Sequence, residues 1–207
     1  KRELTGREWD YDFRRLFYTS TRDITKDPFA GWVEIASRDQ TFGWVFPCDL
    51  WLGPDDDVHL LWTERAIDER LRAKFFPLAR QSHTLNYALV RDGKVVRRRA
   101  LMESTEDQPG IAGSAGRFHV LPDRRLFVVF YASGREPGGA RVAENRILEI
   151  LPNGSAGAPV RLPLARPFTS CFTTTGRGGS PPSPTLELLG PRAGASNTIS
   201  YARVRLF

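Results

Sequence analysis

Short stretches with a period of two dominate this chain of 207 residues, and they come in pairs joined by tight turns. Residues 50–52 and 58–62 flank Gly-Pro-Asp-Asp-Asp at positions 53–57, a composition typical of a hairpin turn. The arrangement returns at residues 118–121 and 126–131, around Pro-Asp-Arg-Arg. Because a period of two is the signature of half-buried strands, the pattern predicts an all-β chain built from antiparallel hairpins.

A second hairpin, with a different turn sequence, follows each of the hairpins at residues 50–62 and 118–131. Residues 84–90 and 95–101 form one around Arg-Asp-Gly-Lys, and residues 145–151 and 160–162 form the other after Pro-Asn-Gly. Two hairpins make a four-stranded unit, and the unit recurs at offsets of 60 to 68 residues. Repeated units of four short antiparallel strands are typical of a β-propeller, so we predict that architecture.

The repeat divides the chain into about four predicted blades, of which the first is incomplete. The approximate blades are residues 1–47, 48–112, 113–164 and 165–207. Neither an initiator Met nor a signal-like segment opens the sequence, so we expect the natural chain to begin upstream and assign no localisation. The chain is therefore predicted to be one propeller domain or the C-terminal part of one.

One helix is predicted to interrupt the strands. It runs from an N-cap at Thr63 up to Pro77 and places Ile67, Leu71 and Phe75 on one face. This insert lies between the second and third strands of its blade. We expect a Gly- and Pro-rich stretch near the end of the chain to fill the corresponding connection of the last blade, where long inserts are typical walls of a ligand pocket.

Residues 37–44, Ser-Arg-Asp-Gln-Thr-Phe-Gly-Trp, resemble the Asp-box of sialidase-like (BNR repeat) propellers, Ser-x-Asp-x-Gly-x-Thr-Trp. Ser, Asp and Trp stand at the expected spacing, whereas Thr41 and Gly43 occupy the positions of the family's Gly and Thr. Residues 49–62 also resemble the first hairpin of repeat-containing members of that superfamily. The resemblance implies a sialidase-like propeller, a hairpin capped by the Asp-box, and a carbohydrate-active or carbohydrate-binding protein.

The leading hypothesis is a glycoside hydrolase or polysaccharide lyase that acts on acidic glycans. A sialidase's arginine triad and Tyr-Glu pair have no matching positions here, whereas related polysaccharide lyases use His and Tyr as acid and base. The candidate catalytic residues are Asp49 before an innermost strand, Asp68 on the inserted helix, and His83 and Tyr87 where the chain returns to the sheet. The alternative for the helix charges is a set of salt bridges within the helix.

Four arginines are candidate ligands for a glycan carboxylate, because the guanidinium fork matches that group. They are Arg65 and Arg70 on the inserted helix, Arg117 at the start of an innermost strand, and Arg177 in the Gly-rich stretch of residues 176–184. The alternative function is a non-catalytic propeller module that binds a glycan or a protein through the same face.

Several other classes of function are not favoured. The net charge of +6 comes from 26 Arg and 4 Lys spread along the chain, a composition bias rather than a nucleic-acid site. No apolar run predicts a membrane span, and no motif predicts a cofactor or a metal site. Cys48 and Cys171 are interpreted as two buried thiols, with one disulfide as the alternative, and His59 and His119 as histidines packed within strands.

Overall fold

The computed structural model describes residues 2–6, 12–170, 172–173 and 181–206 except residue 196, with the backbone alone at 172–173. The described residues contain two α-helices, α1 (Arg2–Thr5) and α2 (Glu69–Phe75), and a 3₁₀ helix (Asp39–Thr41). Their strands are β1 (Arg15–Tyr18), β2 (Val33–Ser37), β3 (Phe42–Leu52), β4 (Val58–Ile67), β5 (Ser82–Arg91), β6 (Lys94–Thr105), β7 (Ile111–Val120), β8 (Leu126–Arg135), β9 (Arg141–Ile150), β10 (Val160–Arg161), β11 (Phe172–Thr173), β12 (Thr185–Gly190) and β13 (Ser200–Arg205).

The strands form antiparallel sheets in which neighbours in sequence are neighbours in space. The orders are β1-β2, β3-β4-β5-β6, β7-β8-β9-β10 and β11-β12-β13. The predictions of an all-β fold and of four-stranded units made from two hairpins are confirmed. The first four-stranded sheet begins at Phe42, inside the segment predicted as the first blade.

Apolar clusters lie between successive sheets, so the sheets stack face to face in chain order. Ile35 of β2 packs with Trp62 of β4, and Leu85 of β5 packs with Phe130 of β8 in the next cluster. Residues 84–90 of β5 are all buried, as expected of a strand covered on both faces. The described residues contain no closed barrel or propeller ring, so ring closure stays a prediction.

The prediction of a helix from Thr63 is wrong in its first turn. Strand β4 continues through Thr63 to Ile67, because it is paired with β5 as far as Arg65 and with β3 as far as Ile67. The helix starts at an N-cap on Asp68, whose side chain accepts the backbone N–H of Arg70. The backbone hydrogen bonds of β4 to its neighbouring strands thus outweigh the helical spacing of Ile67, Leu71 and Phe75.

The hairpin cap implied by the Asp-box is not formed. Residues 37–44 connect β2 to β3, which belong to different sheets, and the Asp39 carboxylate pairs with Arg15 of β1. Gly43, which stands where the Asp-box has Thr, has a packing role here. A Cβ there would lie 2.3 Å from the carbonyl oxygen of Arg65, so Gly43 permits the close approach of β3 to β4.

The expected match between residues 176–184 and the helix-bearing connection is also wrong. This stretch lies between β11 and β12, the first and second strands of their sheet, whereas α2 follows a second strand. Within its described part, the backbone N–H of Ser183 donates to the carbonyl of Val120, beside the turn between β7 and β8. The turns between β3 and β4, between β5 and β6 and between β7 and β8 mark what we call the hairpin end of the sheets. We call the end with α2 the helix end.

Candidate ligand-binding site

Asp49 and Arg117 meet where edge strands of neighbouring sheets adjoin. Asp49 Oδ2 accepts the backbone N–H of Phe118 at 2.9 Å, and Arg117 Nη1 donates to the carbonyl of Cys48. These bonds join β3 to β7 in both directions. The structure therefore gives both predicted residues a role in holding two sheets together.

Asp68 and Arg70 form a second pair, at the start of α2. Asp68 is only 2% exposed, and its two carboxylate oxygens accept Arg70 Nε at 2.8 Å and Nη2 at 2.7 Å. Asp12 contacts the same guanidinium at 2.7 Å. The two carboxylates raise the pKa of Arg70, mainly because the guanidinium donates hydrogen bonds to Asp68. The alternative of salt bridges within the helix therefore holds only in part: Asp68 and Arg70 are paired, but two residues apart at the N-cap, and Glu64 and Arg65 lie on β4 instead of the helix.

Tyr87 is buried in the interface between two four-stranded sheets. Its hydroxyl lies 2.9 Å from Nδ1 of His59, and both rings pack against Phe118. Burial raises the pKa of Tyr87 to about 12 and lowers the pKa of His59 to about 4, so both side chains are neutral at pH 7. Leu61 separates Tyr87 from Asp49 in the strand register, which puts the two predicted catalytic groups two strands apart.

The interpretation of His59 and His119 as packed histidines is confirmed. His59 contacts Tyr87 as above. His119 is 1% exposed, and its Nε2 lies 2.8 Å from the carbonyl oxygen of Ser183. Cys48 is a buried free thiol whose pKa is raised by burial, and Cys171 and Arg177 lie outside the described residues.

Arg65 and His83 are brought together at the helix end. They are register partners on β4 and β5, and Arg65 is in turn the partner of Trp44 on β3. Partners in an antiparallel ladder project from the same face of the sheet, so these three side chains form one row. Phe46 lies two residues after Trp44 and stacks on it, with ring centroids 5.3 Å apart and planes 13° from parallel. We call Trp44, Phe46, Arg65 and His83 the shelf.

Strand β7 leaves part of the shelf uncovered. It crosses this face of the β3–β6 sheet on Gly113 and Gly116, which lie directly against the Leu85 side chain. Leu85 is two residues from His83 along β5, so the row of Arg65 and His83 lies next to these glycines on the side of the helix end. Gly110, directly before β7, donates its backbone N–H to Ser104, the partner of His83 on β6, so β7 begins at the β6 end of this row. His83 is exposed there, and Phe46 is 47% exposed. The two glycines of β7 allow it to pack closely on Leu85, while His83 and Phe46 stay exposed toward the helix end.

The shelf combines an apolar surface with charged and polar groups. Arg65 is half-buried, and its Nε is a buried donor with no hydrogen-bond partner among the described residues, an arrangement that costs free energy until an acceptor is supplied. Burial lowers the pKa of His83, and the positive charge of Arg65 lowers it further against an opposing effect of Glu69. The imidazole is therefore neutral at pH 7 and can both donate and accept a hydrogen bond.

Sequence reasoning missed Trp44 and Phe46 as members of a site. In the sequence, Trp44 belongs to the motif that resembles the Asp-box, and Phe46 belongs to no motif. The alternation of Trp44 and Phe46 on β3 was a usable signal. The pairing of Trp44 with Arg65 requires residues 63–67 to be a strand, and the helical spacing of the sequence conceals that strand.

No metal or membrane feature accompanies the shelf. The part of the chain that the structure describes holds no group of three or more His, Cys, Asp or Glu side chains that could bind a metal ion. None of its helices is long and apolar enough to cross a membrane.

Comparison with known proteins adds no relative: no protein-family model, no curated protein and no solved structure matches this chain. The resemblance to sialidase-like propellers thus rests on the sequence motifs alone.

Proposed function

We propose that this protein is a non-catalytic binding module for acidic glycans, with the shelf as its binding surface. The observation that carries the proposal is the stacked pair of half-buried Trp44 and exposed Phe46 beside the half-buried Arg65, whose Nε has no hydrogen-bond partner among the described residues. Aromatic faces pack against the apolar C–H face of a sugar ring, while a guanidinium pairs with its carboxylate through two parallel bonds. A uronic acid presents both groups at once.

The distribution of carboxylates favours binding over hydrolysis. A glycosidase needs two carboxyl groups on opposite sides of the scissile bond, roughly 5–9.5 Å apart. Glu69 is close enough to His83 to affect its pKa, but its carboxylate accepts hydrogen bonds from Gln81 and Arg72, and Asp49 and Asp68 are engaged in bonds that hold the fold together. We therefore favour the binding module over the hydrolase, and we infer a propeller of sialidase-like type from the face-to-face stacking of four-stranded sheets.

A polysaccharide lyase is the second candidate, because His83 is neutral, exposed and adjacent to Arg65. Such an enzyme would use the neutral imidazole as a base while the arginine holds the carboxylate. Ultraviolet absorbance reports the unsaturated product of elimination. We expect no absorbance increase with polygalacturonate. Turnover that is lost in His83→Gln would replace the binding proposal with the lyase.

Titration calorimetry with tetragalacturonate tests the aromatic half of the shelf. We expect wild-type protein to bind, and Trp44→Ala to weaken binding by about 10-fold because a central aromatic contact is lost. Phe46→Ala provides a second variant at a more exposed position. Trp32→Ala is the matched control, since Trp32 is 75% exposed on β1-β2's side of the molecule and its loss leaves the shelf intact. Equal binding by Trp44→Ala, Phe46→Ala and wild type would refute the proposed surface.

Affinity for the acidic glycan is expected to rise as the pH falls below 6.5, the ordinary pKa of an imidazole. The lowered pKa of His83 keeps its imidazole neutral at pH 7, and protonation adds a positive charge beside the bound carboxylate. We expect severalfold tighter binding at pH 5 than at pH 7.5, and a smaller change in His83→Gln. Calorimetry at the two pH values measures both. An identical pH dependence in the variant would exclude His83 from the site.

A further inference from the structure

A cavity of about 660 Å³ lies at the hairpin end, on the opposite face of the β3–β6 sheet from the shelf. Its volume is in the range of pockets that hold small organic ligands. The segment that follows β1 forms one wall, and the turns after β3 and β5 form the rim. None of the residues that line it belongs to the shelf, so this cavity is a separate candidate site.

The floor of the cavity is aliphatic and open. It consists of Leu50 and Leu52 on β3, Val58 on β4 and Val90 on β5. Leu50 is 45% exposed and Leu52 is 46% exposed. The two-stranded sheet covers the same face closer to the helix end, where Ile35 packs against it, but leaves these leucines accessible. Exposed leucines side by side in a concave surface favour an apolar ligand body.

The rim of the cavity carries an excess of negative charge. No hydrogen bond engages the carboxylates of Asp55, Asp56 and Asp92 among the described residues; Arg91 at the rim is held by Asp57 at 2.5–2.6 Å and also feels the negative charges of Asp92 and Asp55. Arg22 supplies one positive charge to the lining. A negative rim around an apolar floor, in a chain with a net charge of +6, repels acidic glycans and attracts cations.

We propose that this cavity binds a primary alkylammonium ligand. The aliphatic body packs on the leucine and valine floor, and the ammonium group donates hydrogen bonds to the carboxylates of Asp56 and Asp92. This chemistry meets both features of the site at once, since an alcohol lacks the charge and a carboxylate has the wrong sign. The proposal does not rest on the function of the shelf.

Ligand-observed NMR and calorimetry with hexylammonium test the proposal, with hexanol and hexanoate as comparisons. The test variant is Asp56→Asn combined with Asp92→Asn. Both residues have positive φ angles, 59° and 49°, and Asn tolerates that region, so the turns are preserved while two charges are removed. We expect hexylammonium to bind in preference to both comparisons, and the double variant to bind about 10-fold more weakly.

Two controls make the outcome decisive. Asp107→Asn removes an exposed carboxylate that lies next to Arg80, outside the cavity. Arg65→Gln alters the shelf. We expect neither substitution to change hexylammonium binding. No detectable binding, equal binding of hexanol, or an unchanged affinity in the double variant would each overturn the proposal. Loss of glycan binding in Arg65→Gln with hexylammonium binding intact would show that the two sites are independent.

Discussion

Replacing Glu64 by Ala is expected to lower the free energy of unfolding by about 3 kcal/mol, near the lower limit for breaking a buried ion pair. Glu64 is 3% exposed on the face of β4 that is opposite the shelf. Its carboxylate accepts Trp62 Nε1 at 2.5 Å, Arg38 Nε at 2.6 Å and Arg98 Nη2 at 3.2 Å. Without it, a buried indole N–H and two guanidinium groups lose their acceptor. Both arginines reach solvent, which limits the loss.

Urea denaturation of Glu64→Ala and of the milder Glu64→Gln measures this effect. Glu103→Ala is the matched control, because Glu103 is an exposed glutamate on the neighbouring strand β6. We expect the control to stay within about 0.5 kcal/mol of wild type. A loss below about 1 kcal/mol in Glu64→Ala would show that the carboxylate is not needed by its three partners.

Acid is expected to destabilise the protein through His59. The unfolded imidazole binds a proton near pH 6.5, whereas burial lowers its pKa in the folded state to about 4. Stability contributed by the neutral form is thus complete above pH 6.5 and is lost as the pH falls. Between pH 7 and pH 4.5 this one group costs about 2.5 kcal/mol.

The measurement is the free energy of unfolding at these two pH values, in wild type and in His59→Gln. We expect the variant to lose about 2 kcal/mol less on acidification, whatever its stability at pH 7. His83→Gln is the control, since His83 is exposed and a smaller effect is expected. The account fails for His59 if wild type and His59→Gln show the same change with pH.

Local turn chemistry explains which parts of the fold were predictable. The turns at residues 53–57 and 91–94 carry Gly, Pro and Asp in combinations that specify hairpins, and the strands around them are where the sequence puts them. The end of β4 was not predictable in this way. Thr63 and Ile67 fit both a helix and a strand. Pairing with β3 as far as Ile67, and with β5 as far as Arg65, decides for the strand.

The candidate site was predictable only in part, because it depends on register. Arg65 and His83 were identified from their residue types, and the ladder of β4 and β5 makes them neighbours. Asp49 and Asp68 have equally suitable chemistry. Asp49 is engaged by a backbone N–H of the next sheet, a contact that the sequence does not reveal. Asp68 is engaged by Arg70, two residues away, a partner that the sequence does offer.

The central claim is that the shelf recognises the carboxylate of an acidic glycan through Arg65. The most direct measurement compares the affinity for tetragalacturonate with that for its carboxyl-reduced form, in wild type and in Arg65→Gln. We predict that wild type prefers the acidic form by at least about 10-fold, as expected for a charged hydrogen-bonded pair, and that Arg65→Gln abolishes the preference. An acidic preference of the same size in Arg65→Gln would contradict the account.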